Sequence, residues 1–179
     1  YPRSTDPASS SALAITATTS TTITVNVGAV PVDEYASIAT STEFGFGTNA
    51  YTIECWIKPN SIASGSKAIF DMRTTGTEVS AYLYLDGANL KYYVNGSVVI
   101  TGATNLVADT WYHVAVSRTS TTTKMFLNGT QEGSDFSDSG NYGSTKPVRI
   151  GAAFDASADF PGYIDEFRIS NSGRYTANF

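Results

Sequence analysis

The sequence predicts an all-β sandwich, and three observations carry that prediction. Branched and aromatic side chains are abundant, with 24 Thr, 11 Tyr and 9 Phe among 179 residues, and these suit a pleated, half-buried surface. Charged residues make up only 15% of the chain, too few to clothe long amphipathic helices. Short alternating segments are punctuated by Gly, Asn and Asp turns at the spacing of a sandwich. At 19.0 kDa the chain fits one compact domain, or one domain plus a short appendage.

Residues 1–32 stand apart. Pro2, Pro7 and a Ser run read as linker, and ALAITATTSTTITVNV then alternates apolar and hydroxyl residues, with Ile23, Val25 and Val27 on one face. This strand belongs either to the domain that follows or to the end of a preceding module, with the chain around Pro31 as the joint. The domain proper is read as 33–179.

Residues 51–58 (YTIECWIK) place Ile53, Cys55 and Ile57 on one face and Thr52, Glu54, Trp56 and Lys58 on the other, and Pro59 ends the strand. Residues 68–72 form a short strand. Residues 82–85 meet Asp86-Gly87, residues 90–94 meet Asn95-Gly96, and residues 97–100 continue. These are hairpins, because Asn-Gly and Asp-Gly supply the positive φ that two-residue turns require. Residues 111–118 and 124–127 follow, the latter closing at Asn128-Gly129, and residues 148–151 and 163–170 complete the set. The polar, glycine-rich stretch 130–146 reads as one long loop and a candidate binding rim.

Charge and cysteine content exclude several functions. A net charge of −5 with no basic run argues against nucleic acid as a partner. No stretch reaches the roughly 18 apolar residues of a membrane span. The start YPRSTDPASSS has neither Met nor the apolar core of a signal peptide, so the chain is read as a processed product or an excerpt. Cys55 and His113 are each single, which excludes an intrachain disulfide and metal sites built on clustered thiolates or paired histidines. Cys55, flanked on its face by Ile53 and Ile57, reads as a small buried hydrophobe. The sequons at Asn95 and Asn128 coincide with turns that require Asn-Gly in any case.

The segments TIECWIKP, DTWYHVAVSR, KMFLNGTQEG, VRIGAAF and GYIDEFRIS, in that order over residues 52–170, resemble the laminin-G-like branch of the concanavalin A-like superfamily. The resemblance covers most of residues 33–172. It implies a two-sheet antiparallel jelly roll with ligands held on one face or on the loops at its rim. It does not name the ligand, because one fold hosts many functions. The threonine-rich strand and the ending GRYTANF also resemble segments of modular tailed-phage proteins.

Glucanases of that superfamily set several carboxylates at alternate positions of one strand, and no such strand occurs here. Asp165 and Glu166 are adjacent and point to opposite faces of a regular strand. No GxSxG turn surrounds any serine, and His113 shares its face with Trp111 and Ala115. The chain is therefore not expected to be an enzyme. Sugar binding asks for flat aromatic faces beside hydrogen-bonding groups, and Trp56, Tyr82, Tyr84 and Tyr93 are the candidate platforms.

Asp165 shares an alternating face with Tyr163, Phe167 and Ile169, so its carboxylate needs backbone amides, an arginine or a hard cation such as Ca2+. Asp33 and Glu34 would contribute further oxygens to such a cation, although no cofactor is required. Asp155 and Asp159 in DASAD are expected to be solvated.

The expected function is a carbohydrate-binding or adhesion module at the surface of a larger, multi-copy assembly. The parent is a virion, or otherwise a secreted or cell-surface bacterial protein. Its partners are a cell-surface or extracellular glycan and neighbouring protein subunits. The alternative is a purely structural decoration acting through protein contacts, and a glycoside hydrolase ranks behind both.

Overall fold

The structure, a computed structural model, describes the backbone of residues 22–25 and the whole of residues 35–179. Twelve strands follow one another along the described residues: β1 (Thr22–Val25), β2 (Ala36–Ser41), β3 (Tyr51–Pro59), β4 (Ser66–Asp71), β5 (Tyr82–Asp86), β6 (Asn89–Val94), β7 (Ser97–Thr101), β8 (Tyr112–Thr119), β9 (Thr122–Leu127), β10 (Thr130–Ser137), β11 (Lys146–Ile150) and β12 (Gly162–Ser170). They form two antiparallel six-stranded sheets, ordered β1-β12-β3-β8-β9-β10 and β2-β11-β4-β5-β6-β7. The expected jelly-roll sandwich is the fold.

The period-two pattern produces the core directly. Ile53, Cys55 and Ile57 of β3, Val114 and Val116 of β8, and Met125 and Leu127 of β9 point inward from the first sheet. Phe70, Leu83, Leu85, Leu90, Tyr92 and Val148 meet them from the second. Each such side chain withdrawn from water contributes about 1.5–3 kcal/mol. Cys55 is buried among them, and burial pushes its thiol pKa up. The hairpin turns close as their residues require: Asn95 and Gly96 have φ of 50° and 81°, and Asn128 and Gly129 have 49° and 78°.

A polar chain crosses the interior. The hydroxyls of Tyr51 and Tyr92, one from each sheet, lie 2.6 Å apart, and Tyr142 donates to Asp138 Oδ2 at 2.8 Å. Arg118, only 1% exposed, donates to the Asp138 and Gly140 carbonyls at 2.9 Å.

Two sequence expectations need correction, and two further pairings extend the reading. The stretch 130–146 is not one loop, because Thr130–Ser137 is β10, paired with β9 and interrupted by a register shift between Glu132 and Phe136. The remaining connection, 138–145, is anchored by Tyr142, Asp138 and Arg118 and is no free rim. β2 has a partner in β11 although ASIATS carries little apolar alternation.

The alternation assumed for GYIDEFRI is broken. Between Asp165, opposite Trp56, and Arg168, opposite Glu54, β12 places two residues, Glu166 and Phe167, against the single Cys55 of β3. Glu166 at φ 50° absorbs the extra residue. Tyr163 and Asp165 therefore face outward, whereas Phe167 and Ile169 face the core. Finally, β1 pairs through its backbone with β12, Thr22 opposite Ser170. The face assigned to Ile23, Val25 and Val27 lies outside the described residues.

Candidate functional site

β3 and β8 are neighbours, and their register sets Trp56 opposite His113 on the outer face of the first sheet. The two rings meet edge to face with centroids 5.4 Å apart. Trp111, just before β8, and Asn128-Gly129, the turn after β9, lie at the same end. After β12 the chain folds back across this outer face. Arg174 N donates to Thr52 Oγ1 at 2.9 Å, Tyr175 N to Ser117 Oγ at 3.2 Å and Phe179 N to the Gly129 carbonyl at 3.0 Å. Tyr175 and Phe179 stack at 3.5 Å and cover Phe126.

What this segment leaves uncovered is an open depression of about 410 Å³, lined by Trp56, Trp111, His113, Asn128, Gly129 and Phe179. Trp56 is 39% and Trp111 43% exposed. Of the four expected platforms, only Trp56 belongs to this depression. Trp111 and Phe179 are additions. The first was legible as a face-mate of His113, whereas the second arrives on a segment with no strand pattern.

Behind His113 lies a charged cluster around Glu54, which is 3% exposed. Its carboxylate accepts from Arg168 at 2.9 and 2.6 Å and from the Tyr175 hydroxyl at 2.7 Å. It also faces Arg174 Nε at 3.3 Å and His113 Nε2 at 3.2 Å. Burial alone would raise the Glu54 pKa, but the hydrogen bonds from His113, Tyr175 and Arg168 outweigh it and bring the group down to about 2. Glu54 is thus an ionised hub that fixes the ring of His113.

The other expected platforms, Tyr82, Tyr84 and Tyr93, lie together on the outer face of the second sheet. Tyr82 and Tyr84 stack at 4.7 Å, and Tyr93 meets Tyr82 edge to face at 5.9 Å. They are not open. Tyr82 is 6% and Tyr84 8% exposed, packed with Ala68 and Ala153. The Arg73 guanidinium covers Tyr82 at 3.9 Å and is held in turn by Asp71.

The Asp165 side chain accepts from the Glu166 amide at 2.8 Å, closing the bulge locally. Asp33 and Glu34 lie outside the described residues. Among the described residues no three acidic, His or Cys side chains gather into a metal site. Asp155 accepts from the Ser157 amide and hydroxyl, and that local bonding lowers its pKa.

Comparison with known proteins places this geometry in a family. Among solved structures, domain 4 of AbnA, an extracellular GH43 arabinanase from Geobacillus stearothermophilus solved in complex with arabinotriose, is 19% identical with a TM-score of 0.56, over 70% of this chain and 62% of that one. A candidate carbohydrate-binding protein from Bacteroides ovatus is 20% identical with a TM-score of 0.59, over 79% and 42%. The LG4-5 domains of the mouse laminin α1 chain are 14% identical with a TM-score of 0.57, over 83% and 40%. This chain therefore spans less than two thirds of each of these structures. No curated protein matches it. The family model described as the concanavalin A-like lectin/glucanases superfamily matches residues 31–176, and the chain belongs to that superfamily.

Proposed function

We propose that the chain is a non-enzymatic carbohydrate-binding module that docks a glycan in the depression between Trp56 and Trp111. The observation that carries the reading is the exposure of two indoles around one hollow, where large aromatic faces match the apolar face of a sugar ring. None of the six lining residues has a carboxylate side chain, whereas glycoside hydrolysis uses a pair of Asp or Glu residues flanking the scissile bond. Glu54 behind the wall is committed to two arginines. The arabinotriose held by the similar arabinanase domain makes arabinose oligosaccharides the first ligands to try.

A shallow single site binds weakly, so the reading includes display in many copies on a surface assembly, a virion or a secreted bacterial protein, where avidity adds strength. The test is binding of a multimerised form of the protein to a glycan array, alongside Trp56→Ala and Trp111→Ala. Binding that both substitutions abolish while the fold is retained supports the reading. A blank array, or hits indifferent to both substitutions, overturns it.

A further inference from the structure

We propose that His113 is a specificity-determining residue of the depression, held by Glu54 in the Nε2–H tautomer so that Nδ1 accepts a hydrogen bond from a hydroxyl of a neutral sugar. The proposal rests on the glycan reading of the depression and adds the group that selects the ligand there.

The argument begins at Glu54. An ionised carboxylate only accepts hydrogen bonds, so the contact of 3.2 Å from His113 Nε2 to Glu54 Oε2 requires the proton to sit on Nε2. The charges around the ring are those of Glu54 on β3, Arg168 on β12 and Arg174 on the returning C-terminal segment, with the Tyr175 hydroxyl beside them.

In the proposed tautomer Nε2 is committed to Glu54 and Nδ1 carries a lone pair. The main-chain amide of His113 is taken by Asn128 Oδ1 at 2.8 Å, and among the described residues the Nε2 contact is the bond that the ring makes. His113 lines the hollow between Trp56 and Phe179, whose rings meet it edge to face at 5.4 and 5.9 Å.

A carboxylate bonded to one imidazole nitrogen strengthens the other as an acceptor. The lining residues Trp56, Trp111, Asn128, Gly129 and Phe179 offer neither a hydroxyl nor a thiol to activate, so this basicity serves recognition. The ligand class that follows is a neutral pyranose or furanose with a free hydroxyl at the edge of its apolar face. A sugar deoxygenated or methylated at that hydroxyl would lose the contact.

His113 is the chain's single histidine, so one pair of imidazole nitrogen signals reports its tautomer without ambiguity. The experiment is long-range 15N–1H NMR of the uniformly labelled protein at neutral pH, alone and titrated with methyl α- and β-glucosides, galactosides, mannosides and arabinosides, repeated for His113→Gln and His113→Asn. The expected result is an Nε2–H spectrum in the free protein and a shift of Nδ1 on sugar addition.

His113→Gln keeps a donor to Glu54 but no acceptor at the Nδ1 position, and is expected to bind about tenfold more weakly. His113→Asn retains an oxygen near that position and is expected to bind better than the Gln variant. An Nδ1–H or imidazolium spectrum overturns the proposal whatever binds. Undiminished binding by a folded Gln variant overturns it as well. An Nε2–H spectrum with no response to any sugar would instead fail the glycan reading, and the ligand half of this proposal with it.

Discussion

Gly129 and Phe179 meet backbone to backbone: a Cβ on Gly129 would lie 2.0 Å from the Phe179 carbonyl oxygen, while the Phe179 amide donates to the Gly129 carbonyl at 3.0 Å. This contact fixes one wall of the depression. Gly129→Ala adds a methyl at φ 78°, costing about 1–2 kcal/mol in backbone conformation alone, and must also displace Phe179. The expected outcome is a fall in Tm of several degrees together with loss of sugar binding. Gly96→Ala is the control. It has a similar φ of 81° with its nearest neighbour at 3.7 Å, so it carries the backbone cost alone and is expected to lower Tm less and leave binding intact.

The architecture was legible wherever alternation and turn chemistry coincide. β3, with Ile53, Cys55 and Ile57, and the hairpins at Asn95-Gly96 and Asn128-Gly129 follow from side-chain period and positive φ alone. β10 was not legible, because TQEGSDFS turns only Glu132 and, in part, Gln131 and Phe136 away from water, and its pairing comes from β9 and not from its own pattern. The bulge at Asp165-Glu166 was equally hidden, since a non-glycine residue at φ 50° has no local signature. At the site, Trp56 and His113 each read as outward-facing, but the register that sets them opposite one another joins residues 57 positions apart, and Phe179 reaches the wall by tertiary contacts only. Tyr82, Tyr84 and Tyr93 were legible as candidate platforms, but neither their gathering on one face nor the Arg73 guanidinium over Tyr82 has a signature in the alternation of their strands.

Arg73 balances a buried charge. Asp71, 1% exposed, accepts two guanidinium hydrogen bonds from Arg73 Nε and Nη2, while the guanidinium stacks 3.9 Å from the Tyr82 centroid. Arg73→Ala leaves the carboxylate without its cation, and about 3–5 kcal/mol of stability is expected to be lost. Arg73→Lys keeps the charge but not the planar fork or the stack, and is expected to lose about 1–2 kcal/mol. Urea unfolding of both variants checks the ordering, and an Ala variant no worse than the Lys variant would refute it.

Glu54 gives the fold an acid limit. Its pKa falls from 4.5 in an ordinary environment to about 2 in the folded chain, so the native state binds fewer protons than the unfolded state between those values. The stabilisation is complete above pH about 4.5 and is lost as pH falls toward 2, with a total on the order of 3 kcal/mol. Denaturant unfolding measured across pH 2–5 should show a steeper slope in the wild type than in Glu54→Gln, where Asp155 and the other carboxylates of lowered pKa still contribute; the variant is already less stable at neutral pH because Arg168 and Arg174 then face a neutral amide. Equal slopes in the two proteins would place the titration on other carboxylates.

The chain contains two tryptophans, and both line the depression with about two fifths of their surface open. Tryptophan emission, excited selectively at the red edge where tyrosine does not absorb, therefore reports the candidate site. Solvent-exposed indoles emit at long wavelength and are open to acrylamide, so the free protein is expected to show red-shifted emission and efficient quenching. A sugar ring laid against Trp56 or Trp111 removes water from the indole face, and the expected response is a blue shift with a lower quenching constant, saturating with ligand. Trp111→Ala separates the two reporters: if the remaining Trp56 signal still responds but saturates at higher sugar concentration, both indoles contact the ligand. If Trp56 keeps the wild-type midpoint, Trp111 stands outside the contact and the ring rests on Trp56 and His113 alone.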